Sequence, residues 1–158
     1  MRPNILVVGA GHSGTRVIPL MLAKLGWHTG ILDEFGEDPR LWQLNDKPHF
    51  DKKAVQKYID RLAEPWVIKD TRLCGKLAEG WPTLNLGNLF VLHISRDTNA
   101  IMRSHARRNE VISQIDVVQK QQKIQQFFNQ FNGPKLSITF EQLTAAVAIF
   151  DVSRAKSS

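Results

Sequence analysis

A glycine-rich segment near the start of the chain has the residue types of an anion-binding loop. It runs from residue 9 to residue 16 and reads Gly-Ala-Gly-His-Ser-Gly-Thr-Arg. Glycines allow a tight turn in which successive backbone N–H groups point inward, and a helix that begins after the turn adds roughly half a positive charge. Ser13 and Thr15 add hydroxyl donors, and Arg16 adds a cation. This segment predicts a site for a phosphate or a similar anion.

The spacing of the same glycines leaves the kind of nucleotide open. Gly9, Gly11 and Gly14 match the G-x-G-x-x-G fingerprint of dinucleotide-binding domains, and Asp33 or Glu34 falls near the distance of the acid that binds the ribose. A loop for a nucleoside triphosphate requires a lysine between the last glycine and the hydroxyl residue. Here a threonine follows Gly14 directly, which disfavours hydrolysis of ATP or GTP.

A second group with phosphate-binding chemistry follows an apolar segment in the middle of the chain. Residues 89–95 read Leu-Phe-Val-Leu-His-Ile-Ser, which predicts a buried strand, and Arg96 stands directly after it. Ser104 follows eight residues later, in the next predicted helix. A guanidinium group at the carboxyl end of a strand can hold phosphate through its fork of N–H donors. The pair predicts a second anion site.

Together these two groups resemble the nucleotide site of sulfotransferases that use 3′-phosphoadenosine 5′-phosphosulfate (PAPS). The glycine loop is similar to the family's 5′-phosphosulfate loop. The strand, arginine and serine are similar to its 3′-phosphate motif, with Thr98 in place of the usual proline. Two shorter segments resemble other parts of bacterial members: residues 66–72, Trp-Val-Ile-Lys-Asp-Thr-Arg, and residues 140–143, Phe-Glu-Gln-Leu. The C-terminal Arg-Lys-Gly segment of some members does not occur in this sequence.

The resemblance implies transfer of a sulfuryl group from PAPS to a hydroxyl or amine of a small-molecule or carbohydrate acceptor, without a metal. It implies catalytic roles for His12, which stands where many members have lysine, for Glu34 as the base, and for Lys69 as a contact to the sulfuryl group. The alternatives are a solvated acidic loop around Glu34 and an ion pair between Lys69 and a neighbouring acid. The implied cofactor-binding residues are Gly11, His12, Ser13, Gly14, Thr15, Arg16, Arg96 and Ser104.

The pattern of apolar residues predicts the elements that must hold these groups. Strands are expected at residues 4–9, 27–33, 66–69, 89–95 and 135–140, and helices at residues 14–26, 51–63, 72–80, 98–108, 111–131 and 141–150. Alternating strands and helices favour a parallel sheet with helices on both faces. We therefore expect a three-layer α/β fold of the P-loop-like sulfotransferase type. It would form one domain over residues 1–152, followed by a polar tail at residues 153–158.

The composition limits the environment and the partners. The chain has 158 residues, one cysteine and a formal net charge of +6. One cysteine excludes an internal disulfide framework. No apolar segment reaches the roughly 18 residues of a membrane span, and the first residues do not resemble a secretion signal. We expect a cytoplasmic protein with an anionic ligand and without a nucleic-acid or membrane partner, its oligomeric state being open. Metal-ligand spacing is missing at His28, His49, His93 and His105.

Three functions are compatible with these patterns, and they belong to different classes. The resemblance favours a PAPS-dependent sulfotransferase. The glycine spacing alone would also suit a Rossmann-type protein that binds NAD or FAD. The third alternative is a nucleotide-binding domain that has the fold but does not catalyse transfer.

Overall fold

A computed structural model of the protein describes residues 1–34, 36–70, 72 and 80–155. At its centre lies a four-stranded parallel sheet in the order β2-β1-β3-β4. The strands are β1 (Asn4–Val8), β2 (Val67–Lys69), β3 (Leu89–Ser95) and β4 (Lys135–Thr139). Leu6 of β1 pairs with Ile68 on one side and with Val91 on the other, so that β1 is an interior strand. The expected α/β class is confirmed.

Helices connect the strands and begin at recognisable capping residues. The described helices are α1 (Val17–Lys24), α2 (Pro39–Asn45), α3 (Lys52–Ile59), α4 (Thr98–Ala106), α5 (Gln114–Gln130) and α6 (Phe140–Ala155), with a 3₁₀ turn at Trp81–Thr83. Five of them follow a side chain that accepts a hydrogen bond from a backbone N–H of the first turn. These residues are Asp38, Asp51, Asp97, Ser113 and Thr139.

The sheet separates two apolar clusters, which gives the fold its three layers. Successive side chains of a strand point to opposite faces of the sheet. In β1, Leu6 and Val8 join the cluster that contains residues of α3 and α5, such as Val55 and Ile124. Ile5 and Val7 join the other cluster, with Ile18 of α1 and Leu143 of α6. β1 is therefore buried on both faces, and its packing fixes the position of the loop that follows it.

The strand expected at residues 27–33 does not form. Only His28 pairs with the sheet, in a single parallel bridge to Trp66 beside β2. Gly30 then has a left-handed φ of +71°, and the N–H of Ile31 donates to the Asp38 carboxylate at 3.1 Å. Backbone N–H groups of this segment donate to Glu37 and to Asp38 at the cap of α2 rather than to a neighbouring strand. The segment therefore does not continue as a strand of the sheet.

Other differences from the expected elements are smaller. α2 was not expected, although an aspartate followed by proline at the first helical position is a typical start signal. α6 continues to Ala155, through part of the segment expected as a polar tail. The helix expected at residues 72–80 falls almost wholly on residues outside the described part. Among the described residues, no helix has the length and apolar character needed to cross a membrane.

Candidate functional site

The glycine loop, residues 9–16, joins the carboxyl end of β1 to α1. Gly14 has a φ of +81°, and a Cβ there would lie 2.6 Å from Cδ2 of Phe140. A Cβ at Gly9 would lie 2.7 Å from Cγ2 of Thr15. Gly11, in contrast, faces open space. The local geometry therefore requires glycine at positions 9 and 14, whereas position 11 has room for a side chain.

The hydroxyl residues of the glycine loop lie inside the protein. Ser13 is 1% exposed and Thr15 is 4% exposed. The N–H of Ser13 donates to the carbonyl oxygen of Ala10 at 3.1 Å, which closes the turn. Its Oγ, however, has no hydrogen-bond partner among the described residues. A buried hydroxyl of this kind is uncommon, because most buried polar atoms in folded proteins are paired.

Arg96 reaches the glycine loop from the carboxyl end of β3. Its guanidinium group donates to the carbonyl oxygen of His12 at 2.7 Å and lies 3.9 Å from the centre of the Phe140 ring. Its backbone carbonyl accepts a hydrogen bond from the side chain of Gln121 in α5 at 2.8 Å. Arg96 Nε is buried and has no partner among the described residues. The Arg96 side chain is thus held at the loop, and its buried Nε–H group donates to no described residue.

The ring of His12 connects the loop to the end of α4. His12 Nδ1 lies 2.9 Å from Ser104 Oγ, and its Nε2 lies 2.9 Å from Glu110 Oε2. His105 Nδ1 lies 2.7 Å from the same Glu110 oxygen, and the two imidazole rings are 3.8 Å apart. The structure therefore brings together two predicted residues, His12 and Ser104, with two that were not predicted.

The protonation equilibria of this group are shifted. Burial, together with the nearby His105, lowers the pKa of His12. Burial acts in the opposite direction on Glu110, but hydrogen bonds from His105 and His12 hold the pKa of that carboxyl below its usual value. The carboxylate form of Glu110 is therefore favoured beside the two imidazoles.

Lys69, the last residue of β2, lies in a buried ionic network. Its Nζ donates to Glu37 Oε1 at 2.6 Å, and the two side chains are 5% and 8% exposed. Arg72 donates to the other Glu37 oxygen at 3.2 Å. Asp70 accepts a hydrogen bond from Asn45 at 3.0 Å, but its burial raises its pKa. Of the two alternatives for Lys69, the structure contains the ion pair with an acid of the loop.

Glu34, the base implied by the resemblance, does not join these residues. It is exposed and is not among the residues that line the cleft, and its backbone carbonyl accepts a 3.4 Å hydrogen bond from Arg16. Glu37 lines the cleft instead. Its position follows from the cap of α2, because Asp38 fixes the chain directly after it. The aspartate–proline start signal was the available indication of this arrangement.

A cleft of about 1090 Å³ opens where the strands end and contains most of the predicted residues. Ligands of open parallel sheets bind in this position, outside the carboxyl ends of the strands. Among the described residues, eight cationic side chains line the cleft, against the carboxylates of Glu37, Asp46 and Glu110. This excess of positive charge suits an anionic ligand. The cationic residues are Arg16, Lys47, Lys69, Arg72, Arg96, Arg108, Lys120 and Lys123.

Comparison with known proteins places the fold. No protein-family model matches the chain, and no curated protein matches its sequence. The solved structure of a deoxyadenosine kinase from M. mycoides, with the products dCMP and a flexible dCDP bound, superposes with a TM-score of 0.54 and 14% identity. The superposition covers 96% of this chain and 99% of the kinase. The chain has a P-loop-like fold. At 14% identity this similarity shows the architecture and not the activity.

Proposed function

We propose that this protein is a sulfotransferase that binds PAPS and transfers its sulfuryl group to a hydroxyl or amine of a small-molecule or carbohydrate acceptor. The observation that carries the proposal is the position of Arg96 and Ser104 against the glycine loop. Arg96 donates to the His12 carbonyl at 2.7 Å, and Ser104 lies 2.9 Å from the ring of the same residue. A nucleotide with anionic groups on both sides of its ribose needs two adjacent anion sites of this kind.

Two buried donors in these sites support an anionic ligand. Ser13 Oγ in the glycine loop and Arg96 Nε beside it have no partner in the part of the chain that the structure describes. An unpaired buried donor destabilises a fold by about 1–3 kcal/mol, and more if it is charged. In the proposed complex the 5′-phosphosulfate lies in the glycine loop, and the 3′-phosphate lies against Arg96 and Ser104. Arg96 lines the cleft and Ser13 does not, so the pairing of both donors with ligand oxygen atoms requires the loop to open at Ser13 when the ligand binds.

The proposed reaction is an in-line transfer. The bond between sulfur and the bridging phosphate oxygen breaks while sulfur bonds to the acceptor oxygen or nitrogen, and adenosine 3′,5′-bisphosphate leaves. Negative charge develops on the bridging oxygen, so donors directed at that atom lower the barrier most. The backbone N–H groups of the glycine loop, with Ser13, Thr15 and Arg16, are the donors that we assign to it.

Glu37 is the base that we favour for the acceptor proton. Its carboxylate lines the cleft, whereas Glu34 does not. Lys69 and Arg72 hold the two carboxylate oxygens of Glu37 at 2.6 and 3.2 Å, which fixes the orientation of the group. In this scheme the acceptor proton passes to Glu37, and Lys69 positions that carboxylate through the ion pair. A base must lie within hydrogen-bond reach of the proton that it removes.

The arrangement of the sheet argues against the dinucleotide alternative. That alternative requires the segment before Asp33 and Glu34 to lie beside β1, so that one of the acids reaches a ribose bound at the glycine loop. In this protein β2 occupies that position. The segment pairs only through His28 with Trp66, on the far side of β2 from β1. The segment before the two acids is therefore not the neighbour of β1 that the dinucleotide fold requires, although Glu34 contacts the loop through the hydrogen bond from Arg16.

Calorimetric titration with adenosine 3′,5′-bisphosphate and adenosine 5′-monophosphate tests the nucleotide site. We expect the bisphosphate to bind at least about tenfold more tightly, because a charge-assisted hydrogen bond is worth about 1.5–3 kcal/mol. Arg96→Ala should remove most of this difference. Arg103→Ala is the matched control, since Arg103 is an exposed arginine of α4 outside the cleft. Equal affinity for both nucleotides, or equal losses in the two variants, would refute the 3′-phosphate assignment.

Transfer itself requires a separate assay with sulfur-labelled PAPS and a panel of hydroxyl and amine acceptors. Label that moves to an acceptor in the wild type, and not in Arg96→Ala, supports the enzyme. Tight binding of the bisphosphate without transfer to any acceptor would assign the chain to the non-catalytic alternative. Stabilisation by NAD or FAD, and not by the bisphosphate, would contradict the proposal altogether.

A further inference from the structure

Two histidines and a glutamate converge at the edge of the glycine loop in an arrangement that the proposed sulfuryl transfer does not use. Glu110 Oε2 lies 2.9 Å from His12 Nε2 and 2.7 Å from His105 Nδ1. All three residues line the cleft, and Glu110 remains 44% exposed while each imidazole side chain is 12% exposed. Solutes can therefore reach the group from the cleft.

The atoms of this cluster have the chemistry and the spacing of metal ligands. One ligand atom from each residue lies within 4.8 Å of the other two. In a tetrahedral zinc site, with ligands at about 2.0–2.2 Å from the metal, the ligand atoms lie about 3.3 Å apart. If each side chain moved by less than about an ångström, the ligand atoms of this cluster would reach the spacing of a tetrahedral zinc site. Two imidazoles and one carboxylate with an open fourth position form a known type of zinc site.

The surroundings of His12 determine which of its nitrogens can take part. Metal-bound histidines usually donate the other ring N–H to a neighbouring acceptor, which fixes the tautomer and the orientation of the ring. Here Ser104 Oγ lies 2.9 Å from His12 Nδ1, on the side opposite Glu110. With the proton on Nδ1 and donated to Ser104, the lone pair of Nε2 faces the carboxylate. The backbone of His12 is fixed as well, because its carbonyl accepts from Arg96.

We propose that His12, His105 and Glu110 bind one divalent transition-metal ion, Zn²⁺ or a chemically similar ion, with an open coordination position toward the cleft. Nitrogen ligands together with a single carboxylate suit such ions better than Mg²⁺ or Ca²⁺, which prefer oxygen ligands. The site goes beyond the proposed function, since sulfuryl transfer as described above requires no metal. A metal here would add positive charge at the edge of the anion-binding loop.

The test uses the intact protein, Co²⁺ and Zn²⁺, and no nucleotide, so its result is independent of the transfer activity. Co²⁺ titration should produce visible absorption bands that saturate at one ion per chain, and Zn²⁺ should displace the Co²⁺. Competition with a chromophoric chelator then gives the affinity for Zn²⁺. We expect His105→Ala and Glu110→Gln each to weaken Zn²⁺ binding at least about tenfold, with a comparable loss in Ser104→Ala.

His49→Ala is the matched control, because His49 is exposed and does not belong to the cluster. Its affinity for Zn²⁺ should equal that of the wild type. The proposal is overturned if Co²⁺ gives no saturable absorption at one ion per chain, or if Zn²⁺ affinity is unchanged in His105→Ala and Glu110→Gln. Equal weakening in His49→Ala would likewise show that the ion binds surface histidines, and that the cluster is joined by hydrogen bonds alone.

Discussion

Ser13→Ala tests whether the Ser13 hydroxyl serves a ligand rather than the fold. The side chain is 1% exposed, and its oxygen has no partner among the described residues. An unpaired buried polar group destabilises the native state by about 1–3 kcal/mol, and alanine removes that group while changing little volume. We therefore expect the variant to gain about 1 kcal/mol in unfolding free energy, which raises the melting temperature of a domain of this size by about 2–4 °C.

The same substitution should weaken binding of adenosine 3′,5′-bisphosphate. A hydrogen bond to a charged group contributes about 1.5–3 kcal/mol, so its loss raises the dissociation constant about 10- to 150-fold. Scanning calorimetry of the free protein and titration calorimetry with the bisphosphate measure the two effects separately. Opposite signs in one variant distinguish a residue kept for binding from one kept for packing, because removal of a packing contact lowers stability.

Ser113→Ala is the control for this experiment. Ser113 is the exposed N-cap of α5, and its hydroxyl accepts from the N–H of Asp116 at 3.0 Å. Its loss should lower the unfolding free energy by about 0.5–2 kcal/mol and leave nucleotide affinity unchanged. The reasoning fails if Ser13→Ala destabilises the free protein as Ser113→Ala does, since the Ser13 hydroxyl would then have a structural partner. It fails equally if bisphosphate affinity stays at the wild-type value.

Three substitutions probe how the fold supports the cleft. Lys69→Met removes the 2.6 Å ammonium partner of buried Glu37 but leaves its ion pair with Arg72, so urea unfolding should show a loss of about 1.5–3 kcal/mol. Gly14→Ala should lower the melting temperature, because a left-handed φ of +81° costs an L-residue about 1–2 kcal/mol before any clash is counted. Asp38→Asn should reduce the loss of unfolding free energy that the wild type shows as the pH falls from neutral into the acid range. Burial opposes the shift, but hydrogen bonds from Arg40 lower the pKa of Asp38 from 3.8. Its contribution is therefore full at neutral pH and is lost as the pH falls below 3.8 through the folded pKa.

Each of these substitutions has a control within the same region. The double variant Lys69→Met with Glu37→Gln should recover at least half of the loss, and a double variant as unstable as the sum of the two single variants would exclude coupling. Gly11→Ala should melt within about 1 °C of the wild type, because its Cβ faces open space; melting as low as Gly14→Ala would contradict the geometry. If the wild type and Asp38→Asn lose stability in parallel between neutral and acid pH, the shifted pKa of Asp38 is not the cause.

The layers of the fold could be predicted because each interior strand is a continuous apolar segment of the sequence. β1 and β3 are short apolar segments that end at the glycine loop and at Arg96, and the structure reproduces their predicted bounds within one residue. The segment at residues 27–33 carries a weaker apolar signal, which His28 and Gly30 interrupt, and it does not form a strand. Its backbone donors pair locally, at Asp38 and Glu37, and such pairing depends on how the acidic loop folds back. Periodicity contains no information about that competition.

The two groups that the sequence predicts to bind anions lie side by side in the structure, and each could be found in the sequence because it is a short local motif. The His12, His105 and Glu110 cluster could not, since His12 and Glu110 stand 98 residues apart. They meet because α4 packs its end against the glycine loop, and because the chain turns back at Asn109, which has a φ of +56°. Histidine spacing along the sequence is informative only when the ligands of a site share one element. Here three separate positions contribute, and only the tertiary structure joins them.

The cations of the cleft bear on the choice between the proposed sulfuryl transfer and the chemistry of a kinase with the same fold. Phosphoryl transfer in P-loop enzymes relies on a loop lysine that holds the β- and γ-phosphates in line with Mg²⁺. In this chain Thr15 follows Gly14 directly, and Lys69 is held at 2.6 Å by Glu37. Arg96 instead approaches the loop sideways, from β3. A cation beside the loop favours a ligand whose second anionic group lies across the ribose from the first, rather than further along a polyphosphate chain. Adenosine 3′,5′-bisphosphate has that shape and ATP does not, so the bisphosphate should stabilise this protein more than ATP with Mg²⁺ does.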